Sequence, residues 1–164
     1  MPKTNLFFLL CVALALSFSG CNQPKPTGLP SLLPLTLTLT QDGTPLSGAS
    51  VTLFADDGMA TWTVGGTTGV SGNVSPMTQG KYPGVPAGKY KVCVFKIEAV
   101  VPPGAVPPTD SESQSARPVE YDLVDVKLRS PATTTLTLEV GPGKKTATLD
   151  VGKPIRERIN TNGA

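Results

Sequence analysis

The sequence predicts an all-β protein that folds as a single antiparallel β-sandwich of about seven strands. Residues 35–41 (LTLTLTQ) alternate leucine with threonine, and a period of two is typical of a half-buried strand. The 17 glycines and 17 prolines of the 164 residues are concentrated between apolar runs, as in proteins that join short strands by tight turns. No segment shows a convincing helical pattern, so the chain offers only strands to build a core.

The first strands follow from alternation and turn residues. The strand at 35–41 is followed by turn residues, Asp42-Gly43 and Gly48. Residues 50–55 (SVTLFA) are predicted to form a second strand, with Val51 and Leu53 facing inward. A turn at 56–58 (DDG) leads to a short third strand within 59–66 and a fourth within 67–77. Residues 80–88 are predicted as a loop.

The second half begins with the clearest strand, residues 89–97 (KYKVCVFKI), although the alternation does not fix its register past Val94. Residues 99–119 contain five prolines and a polar run, and we interpret them as one long loop, either solvated or used for binding. Strands at 133–140 and 145–151 are predicted to form a hairpin through the turn at 141–143. The polar tail 152–164 is expected to be frayed.

The N-terminus has the pattern of a secretory signal peptide. Lys3 precedes an apolar run at 6–18, and its thirteen residues are fewer than the roughly 20 that a helix needs to span a bilayer. The order Phe18-Ser19-Gly20-Cys21 resembles the lipobox of bacterial lipoproteins. The resemblance implies cleavage before Cys21 and lipid attachment to its thiol. The alternative is an ordinary signal peptide that leaves Cys21 as a free thiol.

Lipidation of Cys21 would determine where the protein is located and how the chain is divided into segments. Several acyl chains hold a protein at a membrane where one chain gives only marginal binding. Asn22 follows Cys21 where the resemblance would place Asp in a protein kept at the inner membrane, so we expect an exported protein at the outer membrane or cell surface. The predicted organisation is a leader (1–20), a lipidated cysteine with a Pro-rich tether (21–34), the sandwich (35–151) and the tail (152–164).

Composition excludes several functions. The formal net charge of +2, with scattered charges, argues against nucleic-acid binding, which needs clustered basic residues. The absence of histidine removes Ser-His-Asp and Cys-His catalysis and imidazole-based zinc sites. Once the leader has left and Cys21 carries lipid, Cys93 is the one remaining cysteine, so we expect a buried thiol and no internal disulfide. The sequence predicts no cofactor, no metal site and no catalytic residues.

Three further stretches carry a family resemblance. Residues 41–53 (QDGTPLSGASVTL), 67–74 (TTGVSGNV) and 84–94 (GVPAGKYKVCV) resemble, in that order, motifs of transthyretin-like, carboxypeptidase-regulatory-like β-sandwich domains. Residues 126–145 are similar to the end of short bacterial lipoproteins that carry this domain. The resemblance implies a transthyretin-like or Ig-like sandwich that acts as a folding, spacing or interaction module. The family's hydrolase branch depends on histidines, which this chain lacks.

A few residues are candidates for chemistry. Trp62 and Tyr82 are candidate ligand contacts that could stack on sugar rings, although half-buried packing is the more common role of such residues. Asp56-Asp57 fits an ordinary turn better than a calcium site, which needs more oxygen ligands. A group of acidic and basic residues is interpreted as a solvated mixed-charge surface rather than a paired-carboxylate active site: Glu112, Arg117, Glu120, Asp122, Asp125, Lys127 and Arg129.

The sequence therefore predicts a membrane-anchored envelope lipoprotein with a non-catalytic sandwich. Its expected partners are membrane lipid through Cys21 and an envelope protein or glycan, while its oligomeric state is left open. One alternative is a carbohydrate-binding accessory module that uses Trp62 and Tyr82. The other is a hydrolase that relies on carboxylates alone.

Overall fold

The computed structural model describes residues 25–56, 62–101 and 118–159. Strands account for 48% of these residues and helix for 4%, which confirms the predicted all-β class. Within these ranges the one helical element is a short 3₁₀ helix, Val126–Arg129, whose first turn is capped by the Asp125 carboxylate. The chain divides into two units, Met1–Pro30 and Ser31–Ala164.

The described residues of the second unit contain fifteen strands rather than about seven. Seven of them have only two residues, which is too short for an alternating pattern to reveal them. In chain order they are β1 (Leu32–Leu33), β2 (Thr36–Gln41), β3 (Thr44–Pro45), β4 (Ser50–Ala55), β5 (Val64–Thr67), β6 (Asn73–Val74), β7 (Met77–Thr78), β8 (Tyr82–Pro83), β9 (Val85–Pro86), β10 (Gly88–Phe95), β11 (Ile97–Val100), β12 (Val119–Asp122), β13 (Thr137–Val140), β14 (Thr146–Asp150) and β15 (Glu157–Arg158).

Two larger sheets enclose the core. A six-stranded sheet has the order β13-β10-β4-β5-β7-β8, and a four-stranded sheet has the order β14-β2-β3 with β6 also paired to β2. Leu37 and Leu39 of β2 are fully buried at 0% exposure, as their alternation with threonine predicts. They share one apolar cluster with inward side chains of the six-stranded sheet: Val51, Leu53, Tyr90, Val92, Val94, Leu138 and Val140.

The chain changes sheets between β3 and β4, and Thr68 holds that crossing. A two-residue turn at Asp42 and Gly43, both with positive φ, closes the β2–β3 hairpin. The Thr68 hydroxyl donates to the Leu46 carbonyl oxygen at 2.6 Å and accepts from the Ala49 N–H at 2.9 Å. Because Thr68 is only 4% exposed, its hydroxyl replaces water for two buried backbone groups.

The predicted hairpin at 141–143 is wrong. Strand β13 pairs with β10 in the six-stranded sheet, whereas β14 pairs with β2 in the four-stranded sheet, so the turn carries the chain from one layer to the other. The β14–β2 pair is also parallel, which departs from a purely antiparallel sandwich. Each strand turns its apolar side chains towards the shared core from its own layer, and this burial outweighs local pairing.

Two irregular segments are more ordered than the sequence predicts. Residues 97–100 and 119–122 form the antiparallel pair β11–β12, so residues 99, 100 and 119 of the predicted loop are in strands; residues 102–117 lie outside the described residues. Within the predicted frayed tail, β15 pairs with β12 and completes a three-stranded sheet, β11-β12-β15. These short pairings depend on partners distant in sequence.

The folded unit also begins before residue 35. Leu32–Leu33 of the predicted tether form β1, which pairs with β9. In the preceding unit the described residues 25–30 contain a turn, in which the Leu29 N–H donates to the Pro26 carbonyl oxygen at 3.2 Å. The end of the Pro-rich segment 22–34 therefore does not coincide with the start of the folded unit, which is at Ser31.

Replacing Thr68 by valine tests the crossing. The change keeps the shape of the side chain but leaves the Leu46 carbonyl and the Ala49 N–H without the hydroxyl. We expect a loss of about 1–3 kcal/mol in the free energy of unfolding, measured by chemical denaturation. The control is Thr67→Val, at an exposed position of β5, which is expected to change stability by less than about 0.5 kcal/mol. Equal losses in the two variants would contradict the assigned role.

Candidate functional site

The predicted lipid attachment residue, Cys21, lies outside the described residues, as do Asp57, Glu112 and Arg117. Their predicted roles stay predictions. The structure describes the candidate residues of the folded unit. These candidates lie at three places: the β5–β7–β8 edge, the start of β2 and β14, and the three-stranded sheet.

Trp62 and Tyr82 lie at the same end of the six-stranded sheet. The Gln79 N–H donates to the Thr63 carbonyl oxygen at 2.6 Å, so the residue next to Trp62 is bonded to the β7–β8 turn. Tyr82 follows that turn on β8, paired with Thr78. Both aromatic side chains are partly buried, and the Lys81 ammonium lies 5.6 Å from the centre of the Tyr82 ring. The fold thus brings the two candidate contact segments together.

An open groove of about 460 Å³ lies where β1, β2 and β14 begin. Its walls are mainly apolar and include Leu32, Leu35 and Pro83, while Lys145 and Thr146 supply polar groups at the β14 side. A second depression of about 410 Å³ is lined by Asp56, Lys89 and Tyr90. The Tyr90 hydroxyl donates to the Pro86 carbonyl oxygen at 2.8 Å. Both are open surface features rather than enclosed cavities, so they suit extended or polymeric ligands better than small molecules.

The mixed-charge group is not uniformly solvated. Asp122 is only 8% exposed and forms an ion pair with Arg129, which corrects the predicted solvated surface at these two residues. Asp125 accepts a hydrogen bond from the Lys127 N–H at 2.9 Å and so caps the 3₁₀ helix. Glu120 remains exposed. The roles of Asp122, Asp125 and Arg129 are structural, because each of these charges is bound to a group that the fold itself supplies.

Sequence reasoning missed a cluster on the three-stranded sheet. The Arg156 Nε donates to Glu98 Oε2 at 3.0 Å, and the Arg156 guanidinium lies 3.8 Å from the centre of the Tyr121 ring. Glu98 and Tyr121 are register partners on β11 and β12, and Arg156 precedes β15. Residue spacing gave no signal for this cluster, since its members come from three segments far apart in the chain.

The fold alters the carboxylate of Asp150. Its Oδ2 accepts from the Gly43 N–H at 3.0 Å and from the Thr40 hydroxyl at 2.7 Å, while its Oδ1 accepts from the Gly152 N–H at 2.7 Å. These bonds favour the ionised form, chiefly the one from Gly43, and they lower the pKa of Asp150 from 3.8 to about 2. The carboxylate thereby ties the end of β14 to the β2–β3 turn.

The Cys93 thiol is buried on β10, as predicted. Burial raises the pKa of this thiol, which lowers the fraction of reactive thiolate. Among residues 25–56, 62–101 and 118–159, no group of three or more His, Cys, Asp or Glu side chains is placed to hold a metal ion. Over the same residues there is no helix long and apolar enough to cross a membrane.

Comparison of the chain with protein families, with curated proteins and with solved structures found no match. The lipobox at Cys21 and the transthyretin-like motifs therefore stay predictions from the sequence.

The low pKa of Asp150 predicts a specific pH dependence for Asp150→Asn. A pKa below its unfolded value contributes stability above about pH 4, and that contribution disappears as the pH falls through about 2. We expect the variant to be less stable than wild type at pH 7. The difference in unfolding free energy should shrink as the pH falls from about 4 to about 2. Denaturation curves at several pH values measure it.

Glu139→Gln, an exposed carboxylate change on β13, controls for the altered net charge. A difference between Asp150→Asn and wild type that stays constant from neutral pH to pH 2 would contradict the assigned hydrogen bonds.

Proposed function

We propose that the protein is an exported lipoprotein, anchored through Cys21, that presents a non-catalytic β-sandwich in a structural or binding role at the cell envelope. The observation that carries the proposal is the sequence Phe18-Ser19-Gly20-Cys21 at the end of a short apolar run. The composition of the residues that follow Cys21 supports it, because residues 22–30 contain three prolines, as is typical of a spacer between an anchor and a domain.

The surface of the sandwich supports a binding role over catalysis in small-molecule pockets. The two grooves are open, and the three-stranded sheet keeps most of its β11 residues exposed. Open edges and extended surfaces are typical of domains that bind proteins or glycans. The envelope partner that we propose is therefore a macromolecule, either protein or glycan.

The anchor is tested by Cys21→Ser. We expect the wild-type chain to partition into the detergent phase and to begin at Cys21, with a mass increased by a diacylglyceryl group and a fatty acid. The variant should lack this added mass, because serine has no thiol to carry the lipid that stable anchoring requires. Phase partitioning and intact-mass spectrometry measure both effects.

Cys11→Ser, in the predicted leader, and Cys93→Ser, in the folded unit, are the matched cysteine controls and should partition as wild type does. An aqueous wild-type chain with an unmodified Cys21 would exclude the anchor. It would leave a freely secreted β-sandwich.

A second candidate, a carbohydrate-binding module, is favoured by the placement of Trp62 and Tyr82 at one end of the sheet. Aromatic rings that are partly exposed can stack on sugar rings. Since Trp62 is the single tryptophan, its fluorescence reports on that end of the sheet alone.

If this candidate is correct, titration with a panel of polysaccharides should change the Trp62 emission for at least one of them. Tyr82→Ala should then weaken that binding by roughly 2- to 12-fold, since an aromatic contact contributes about 0.5–1.5 kcal/mol. Tyr121→Ala, at the distant ring stacked on Arg156, is the control and should leave binding unchanged. Emission that ignores every polysaccharide would reject the module.

A further inference from the structure

Strand β14 lies at the end of the four-stranded sheet. It pairs on one side with β2 over its whole length, from Thr146 to Asp150. No strand within residues 25–56, 62–101 or 118–159 pairs with its other side. An open edge is a row of backbone donors and acceptors that can bind another strand.

The hydrogen bonds to β2 show which groups of β14 face outward. The Thr36 N–H donates to the Lys145 carbonyl oxygen at 2.8 Å, and the Val151 N–H donates to the Thr40 carbonyl oxygen at 2.8 Å. In a parallel ladder, alternate residues of the edge strand bond to the neighbour. Residues 145, 147, 149 and 151 therefore bond to β2, and the backbone groups of Thr146, Thr148 and Asp150 point away from the sheet.

The usual protections of an edge are absent between Thr146 and Leu149. This stretch of β14 contains no proline and no charged side chain, and its register with β2 is continuous, without a bulge. The charges lie at the two ends: Lys144 and Lys145 precede the strand, and Asp150 ends it. The edge thus combines an unprotected centre with ends of opposite charge.

We propose that this edge binds the same edge of a second copy of the chain, antiparallel, about a two-fold axis at Thr148. In this register Thr148 faces Thr148 of the second copy on the solvent side, where both are exposed. On the core side Ala147 faces Leu149 of the second copy. Both of these side chains are partly exposed in the single chain and already pack against the core. The pairing covers them and joins two four-stranded sheets into one.

The charges select this orientation. In the antiparallel register Thr146 is opposite Asp150 of the second copy, and Lys144 is diagonal to that carboxylate, within reach of its long side chain. The two-fold axis repeats this attraction at the other end of the strand. A parallel, in-register pair would instead place Asp150 beside Asp150 and Lys144 beside Lys144. A two-fold pair also closes on itself and gives a dimer rather than a filament.

Strand β13, which also lies at the end of a sheet, is the natural comparison. It ends the six-stranded sheet and carries its one charge, Glu139, beside the middle of a four-residue strand. A two-fold pairing centred on Glu139 would set two carboxylates directly opposite each other, which is destabilising. The charge pattern therefore favours β14 as the self-pairing edge.

The decisive variant is Thr148→Pro, compared with wild type by light scattering and sedimentation. Proline removes an N–H that faces outward and is tolerated on edge strands, so the bonds to β2 remain. We expect wild type to have twice the mass of one chain and the variant to have the mass of one chain, with unchanged circular dichroism. If Thr148→Pro does not fold, Lys144→Asp, at an exposed position before the strand, should weaken the dimer roughly tenfold by reversing both end contacts.

Cysteine cross-linking in cells locates the contact. Directly opposite residues of a hydrogen-bonded antiparallel pair have Cα atoms about 5.5 Å apart, within the range of a disulfide. Under a mild added oxidant, which takes up the two protons and two electrons released as two thiols form a disulfide, Thr148→Cys should give a covalent dimer. Thr137→Cys on β13 is the matched edge control and should give no covalent dimer. The wild-type chain, treated in the same way, shows how much cross-linking occurs through Cys21 or Cys93.

Three results would overturn the proposal. A wild-type chain that is monomeric at every concentration tested shows that the β14 edge does not bind the β14 edge of a second copy. A cross-link at Thr137→Cys without one at Thr148→Cys assigns the contact to β13. A Thr148→Cys adduct with a different protein, and no dimer, assigns the edge to a foreign extended segment.

Discussion

The structure depends on how the chain crosses from one sheet to the other between β3 and β4. The crossing leaves backbone groups of Leu46 and Ala49 inside the protein, where water cannot bind them. The Thr68 hydroxyl forms a hydrogen bond with each of these groups. The Thr68 backbone adds two more: its N–H donates to the Ala49 carbonyl oxygen, and its carbonyl oxygen accepts from the Gly48 N–H. A buried crossing without these bonds would cost about 1–3 kcal/mol for each unpaired group.

Once this crossing is fixed, β2 and β4 face each other and the core can form between them. Leu37 and Leu39 on β2 then meet Val51 and Leu53 on β4 in one apolar cluster. Strand β14 completes the layer of β2, and Asp150 ties its end to the β2–β3 turn through Gly43. The C-terminal part of the fold is therefore built on a hairpin formed near the start of the domain.

The surfaces proposed for binding lie away from that core. The exposed rim of the sandwich includes the partly buried rings near the β7–β8 turn, the three-stranded sheet with Arg156 between Glu98 and Tyr121, and the outer edge of β14. A rigid interior with open edges fits a domain that presents surfaces to macromolecules. An anchor at Cys21 would hold such a domain at a membrane, where even weak contacts between neighbouring copies become frequent through their high local concentration.

The sequence by itself determined the all-β class, the inward leucines of β2 and the buried Cys93, because alternation and turn residues act over a few neighbours. It did not determine which sheet β13 and β14 join, since the turn at 141–143 is equally compatible with a hairpin and with a crossing. The tertiary structure decided this through burial of Leu138 and Val140 on one layer and of Leu149 on the other. It also decided the Asp122–Arg129 pair, the Arg156 cluster and the two-residue strands, because each depends on contacts between residues that only folding brings together.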